Sequence, residues 1–138
     1  MHALRTHTKL AAFAVFAVVA LSSVAVAVVL RDVEGPFIYE LDILPVSPKA
    51  GDILTVTVYC IDMSGVSSAM LSRSTNGSSW VEQDMVFYAC LCLAGGRWIA
   101  NFGPANSGES VRFYVTAFDS SLAHNSADTQ ILELMIGP

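Results

Sequence analysis

The sequence predicts an all-β fold, a sandwich of seven antiparallel strands preceded by one N-terminal hydrophobic helix. Three observations carry that prediction. Leu10 to Leu30 is a run of twenty-one residues with no charge and with only Ser22 and Ser23 polar. From Phe37 onward, apolar and polar residues alternate with a period of two, the spacing of a half-buried strand. Turn-forming Gly, Pro, Asn and Asp interrupt that alternation roughly every ten residues, as a sandwich requires.

The apolar run comes first and fixes the compartment. A helix of that length rises about 1.5 Å per residue and matches a hydrocarbon core of about 30 Å. Arg5 and Lys9 precede it, and cations in that position stay cytoplasmic. Residues 1–9 thus read as a basic cytoplasmic n-region, 10–30 as a transmembrane anchor or signal segment, 31–36 as a stalk and 37–138 as the β domain. Ser22-Ser23-Val24-Ala25-Val26-Ala27 also has the small-residue pattern of a signal cleavage site, with the cut after Ala27. Anchor and cleaved signal both place the β domain outside: in the cell membrane, or secreted to the cell surface.

The strands follow in order. Phe37 to Ile43 alternates, so that Phe37, Tyr39, Leu41 and Ile43 share a face, and Pro45 and Pro48 close it. Ile53 to Ile61 puts Leu54, Val56, Val58 and Cys60 on one side and Thr55, Thr57 and Tyr59 on the other, a β-branched run that suits a strand. Asp62 to Gly65 is a turn, Val66 to Arg73 a third strand, and Asn76-Gly77 a hairpin signal. Met85 to Leu93 and Trp98 to Phe102 flank the tight turn Ala94 to Arg97. Val111 to Ala117 and Gln130 to Ile136 complete the seven, joined by a polar loop from Asp119 to Asp128. This order sends loops 62–65, 94–97 and 119–128 to the end where the first strand begins, and loops 44–52, 74–79, 103–109 and the C-terminus to the other.

Several of these residues carry a resemblance. Pro48-x-x-Gly51-Asp52, Asp62-x-Ser64-Gly65-Val66, Leu71, Asn76-Gly77, Trp80, Met85, Gly96-x-Trp98-x-Ala100 and Gly108-x-x-Val111-x-Phe113-Tyr114-Val115-x-Ala117-x-Asp119 resemble the immunoglobulin-like or fibronectin type III-like modules of prokaryotic surface proteins. The resemblance implies an immunoglobulin-like sandwich over 37–138 and an extracellular structural or binding role, with no catalytic residue and no cofactor. An apolar N-terminal segment followed by such a domain is also similar in layout to archaeal pilins.

Charge narrows the partners. Residues 28–138 hold five Lys/Arg against twelve Asp/Glu, a net of −7, which argues against nucleic acid, whose phosphates need clustered cations. The expected partners are the chain itself or other cell-envelope proteins, with the lipid bilayer met through residues 10–30.

Candidate sites are few. Cys60, Cys90 and Cys92 are an odd set, open to a disulfide from Cys60, to free buried thiols, or to a bond with another chain or a metal. Cys90 and Cys92, two apart on an expected strand, are too extended to bridge each other. Met85 to Ala94 is apolar on both faces, which makes Val86, Tyr88, Cys90 and Cys92 a candidate self-association edge, the alternatives being cover by the chain's own loops or contact with a membrane. Asn76-Gly77-Ser78 is an N-glycosylation sequon. Asp62 and Asp119 fall at one end and could share Ca²⁺, although Asx turns account for both. His124, near Ser120, Ser121 and Asp119, lacks the rigid geometry of a catalytic triad. Trp80, Trp98, Tyr59 and Tyr114 could form a sugar-stacking platform, with core packing the alternative for both tryptophans. Two functions stand: a structural or assembly module, such as a filament or envelope subunit, and a monomeric ligand-binding or adhesive module, for example for carbohydrate.

Overall fold

The first two strands among the described residues, β1 (Phe37–Leu44) and β2 (Leu54–Ile61), set the pattern of the domain. In β2 the alternation is strict: Leu54, Val56 and Val58 are fully buried and Cys60 nearly so, while Thr55, Thr57 and Tyr59 lie on the outer face. β1 pairs with it antiparallel from Leu44↔Thr55 to Phe37↔Ile61, with a bulge between Ile38 and Glu40. One extra residue inverts the phase of an alternating strand. Ile38, Leu41 and Ile43 therefore pack on the core, whereas Phe37 and Tyr39, expected on that same face, do not.

The computed structural model describes residues 32–138, of which Val33–Pro138 form one compact unit. The expected N-terminal helix, the 10–30 anchor and the Ala27 cleavage site lie outside the described residues. After β2 come β3 (Val66–Thr75), β4 (Val81–Asp84), β5 (Val86–Ala89), β6 (Gly96–Phe102), β7 (Ser110–Asp119), β8 (Ser126–Asp128) and β9 (Leu132–Met135). They make two antiparallel sheets. One has the order β1-β2-β6-β5, and the other runs β4-β3-β7 with both β8 and β9 on the far side of β7. The core lies between them, built from Leu54, Val56, Val58, Ala100 and Phe102 on one side and Ala69, Leu71, Val111, Phe113 and Val115 on the other.

The described residues thus hold nine strands where seven were expected, for two local reasons. β4 is polar, Val-Glu-Gln-Asp, because it is an edge strand with little to bury. Met85 is buried and donates its N–H to Ala69 O at 2.9 Å. There the chain leaves one sheet as β4 and enters the other as β5. Pairing along the far side of β7 is interrupted at Thr129, whose N–H donates to Val115 O and whose hydroxyl accepts from Val115 N, both at 2.9 Å. That residue replaces a ladder step and lets β8, expected as loop, pair ahead of β9.

The turns behave as their residues dictate. Asn76 and Gly77 both take positive φ, 51° and 73°, and Ser78 N–H closes the hairpin on Thr75 O at 2.9 Å. Loops 62–65 and 119–125 meet at one end through Ser120 N–H to Gly65 O at 2.8 Å. Loops 44–52, 103–109 and the C-terminus meet at the other, through Gly51 N–H to Ala105 O at 2.8 Å and Ala50 N–H to Gly137 O at 3.0 Å.

Candidate functional site

β5 is the outer strand of its sheet, paired with β6 on one side only, from Val86↔Ile99 to Ala89↔Gly96. Its other side presents unpaired backbone N–H and C=O groups, a template for a further strand. Natural edges are blunted with charge, yet Val-Phe-Tyr-Ala holds none. Val86 and Tyr88 point outward and are 57% and 51% exposed. Phe87 points inward against Trp98, ring centroids 5.2 Å apart, and still remains 49% exposed as the lip of the sandwich. It sits over Gly96, where a Cβ would collide with the ring. The apolar character of both faces, read from alternation, is what the strand shows.

Cys90 and Cys92 are not on this strand. β5 stops at Ala89 and the chain curls through a turn that Gly95 N–H closes on Cys92 O at 2.9 Å. A fully extended pair two residues apart is separated by about 6.6 Å; here the Cα atoms are 5.2 Å apart and the two cysteines form a disulfide. The expectation that they could not bridge assumed a strand reaching Leu93, and it is corrected. Cys60 is a free, buried thiol that burial pushes up to about 11, so it stays protonated and unreactive at neutral pH. Neither the bonded pair nor Cys60 offers an exposed thiol to another chain.

The four aromatics weighed as one platform are dispersed. Trp98 packs against the core. Tyr59 lies on the outer face of the β1-β2-β6-β5 sheet beside Tyr39, centroids 6.0 Å apart. Trp80 and Tyr114 lie on the outer face of the other sheet, edge to face at 5.1 Å, with the Arg112 guanidinium 5.8 Å from the Trp80 ring. Trp80 is 40% exposed, so it is not the core aromatic that one reading expected. Ser72 and Ser74 are buried on that same face, Ser72 directly across from Tyr114 in the ladder. Small side chains there leave room for the indole to lie close to the sheet.

The remaining candidates are engaged in turns. Asp62 Oδ1 accepts from Ser64 N–H and Oγ–H, both at 2.7 Å. Asp119 is fully buried and accepts from Ser121 Oγ–H at 2.9 Å, Ser121 N–H at 3.2 Å and Asn125 Nδ2–H at 2.8 Å. Burial pushes its carboxyl up, but the hydrogen bonds from Asn125 and Ser121 outweigh that and hold it below the ordinary carboxylate range. Oxygens of the two carboxylates come within 4.8 Å of each other, and each carboxylate also accepts hydrogen bonds within its own turn. Ser121 spends its hydroxyl on Asp119, and His124 sits at positive φ with its N–H on Ser121 O. Asn76 is exposed at the hairpin tip and accepts from Ser110 N–H at 3.0 Å through Oδ1.

No protein-family model and no curated protein matches this chain. Among solved structures it is similar to the carbohydrate-binding module BhCBM56, a bromine derivative, at 12% identity and a TM-score of 0.52, covering 73% of this chain and 98% of that one. At that identity the likeness speaks for the two-sheet β fold.

Proposed function

We propose that this is an exported, non-catalytic contact module, and that the β5 edge is where it meets other protein, either further copies of itself or other cell-envelope proteins. The domain would stand outside the cell membrane if residues 10–30 are retained, or be secreted to the surface if they are removed after Ala27. The observation that supports this is an uncharged edge strand with Val86, Phe87 and Tyr88 each about half exposed and no covering loop among the described residues. Adding a strand there satisfies the open backbone groups and buries apolar surface worth about 25 cal/mol per Å². An immunoglobulin-like domain with such an edge suits a filament or envelope subunit of the pilin-like layout.

The test is the pair Val86→Lys and Tyr88→Lys. Both side chains are on the outer face, so the core stays intact, and the charges repel an incoming strand. Sedimentation velocity of the full chain in detergent is expected to show the parent as an assembly and the variant as a monomer with unchanged circular dichroism. An assembly of unchanged size would end this reading.

A second reading, carbohydrate binding, is favoured by the half-exposed Trp80 beside Tyr114 and Arg112, and by the likeness to a carbohydrate-binding module. Aromatic faces stack on sugar rings, and a guanidinium supplies donors for their hydroxyls. Retardation of the chain in polysaccharide-containing native gels should then disappear in Trp80→Ala, about a tenfold or greater loss for a lost stacking anchor. Equal mobility of parent and variant across neutral and acidic polysaccharides would dismiss it.

A further inference from the structure

The strongest unexplained feature is at the end of the sandwich where β1 begins. Three separate loops there each project large apolar side chains almost completely into solvent: Met63 (89%), Leu91 (111%) and Leu93 (78%), and Leu122 (81%). The loops are neighbours. Ser120 N–H bonds Gly65 O at 2.8 Å, joining 62–65 to 119–125, and Asp62 and Gly65 line one cavity with Ala94 and Gly96, joining 62–65 to 90–95. Side chains so exposed contribute nothing to the core, and clustering them at one end is costly in water. The Cys90–Cys92 disulfide closes the tightest of the three loops around Leu91.

We infer that this end inserts its loop tips into the surface of a lipid bilayer, with Met63, Leu91, Leu93 and Leu122 reaching below the headgroups. The chain itself says what covers them. Gly35 is pressed so closely against the backbone of Ser126, where β8 starts at this same end, that a Cβ would collide there, and Pro36 is fully buried. The chain is therefore fastened to the domain from Gly35 onward. Between the end of the uncharged run at Leu30 and Gly35, five peptide steps span at most about 18 Å. Where residues 10–30 enter a bilayer, on which reading this inference rests, a stretch that short keeps the loop-bearing end within reach of the membrane surface. Loops 62–65, 90–95 and 119–125 contain no Lys or Arg and include Asp62 and Asp119, so the contact is apolar insertion and not attraction to anionic headgroups.

The opposite end offers an internal control. Val46 is 77% exposed, yet it lies beyond the length of β7, about 33 Å for ten residues. Full-length chain carrying Met63→Cys, Leu122→Cys or Val46→Cys, each labelled with an environment-sensitive fluorophore, is reconstituted into phosphatidylcholine vesicles containing a spin-labelled lipid and floated on a gradient. Labels at positions 63 and 122 are expected to be quenched about threefold or more above the label at 46 and to be unaffected by 1 M salt, as an apolar contact requires. Chain that floats but shows equal quenching at all three positions overturns loop insertion and leaves the anchor standing. Chain that stays at the bottom of the gradient overturns the anchor reading and this inference with it.

Discussion

Phe113→Ala is expected to destabilise the domain by about 3–5 kcal/mol, the cost of deleting a fully buried aromatic side chain and leaving its cavity. Phe113 is fully buried in β7, the strand that joins β3 to β9, and stands opposite Arg73 in one ladder and Leu132 in the other. It belongs to a core shared with Leu54, Val56 and Val58 from the facing sheet. No helix covers either sheet among the described residues, so the layer between them is the main source of hydrophobic stabilisation. A single domain of this size is stable by about 5–15 kcal/mol, and the variant should therefore lose a large share of that and unfold at far lower urea. Leu122→Ala supplies the comparison: at 81% exposure it should change stability by less than about 0.5 kcal/mol. Urea midpoints of both variants measured against the parent check the pair. A loss under about 1 kcal/mol at Phe113 would contradict the two-layer core.

What the sequence discloses about this fold is the part that local period can carry. Leu54, Val56 and Val58 recur at alternate positions, and so do Val111, Phe113 and Val115, and each set is the buried face of its strand. Asn76-Gly77 announced its hairpin because few other pairs tolerate two successive positive φ angles. Period alone does not say where a strand stops or which sheet it joins. The step from β4 to β5 depends on the bond from Met85 N–H to Ala69 O, sixteen positions away, and the bulge at Tyr39 reverses a phase that the sequence leaves unbroken. The uncharged character of β5 was legible since residues of both parities are apolar there, while its place at the end of the sheet follows from the strand order. Met63, Leu91, Leu93 and Leu122 were not, since they sit in turns about thirty residues apart and only the topology gathers them. The disulfide was hidden by the same error of length: a strand ending at Ala89 frees Cys90 and Cys92 to turn toward each other.

Asp119→Asn is expected to weaken the domain at neutral pH, and the difference from the parent should shrink as the solution is acidified. The parent carboxylate is buried and receives hydrogen bonds from Ser121 Oγ–H, Ser121 N–H and Asn125 Nδ2–H. An amide oxygen accepts less strongly than a carboxylate, and its NH₂ group would face donors at the other oxygen's position. The hydrogen bonds hold the folded carboxyl below its ordinary value despite burial. A group whose folded value is depressed contributes its full stability above the unfolded value, about 3.9 for Asp, and loses it as pH falls through the folded value. The gap between parent and variant in urea midpoint should accordingly be constant from pH 7 to about pH 5 and narrow from about pH 4 downward. Because Asp119 terminates β7 and Ser121 and Asn125 belong to the loop that presents Leu122, hydrogen exchange in 119–125 should rise in the variant before exchange in β3 or β7. A gap that stays the same at pH 3, or exchange rising uniformly across the domain, would show that this carboxylate does not fasten the loop.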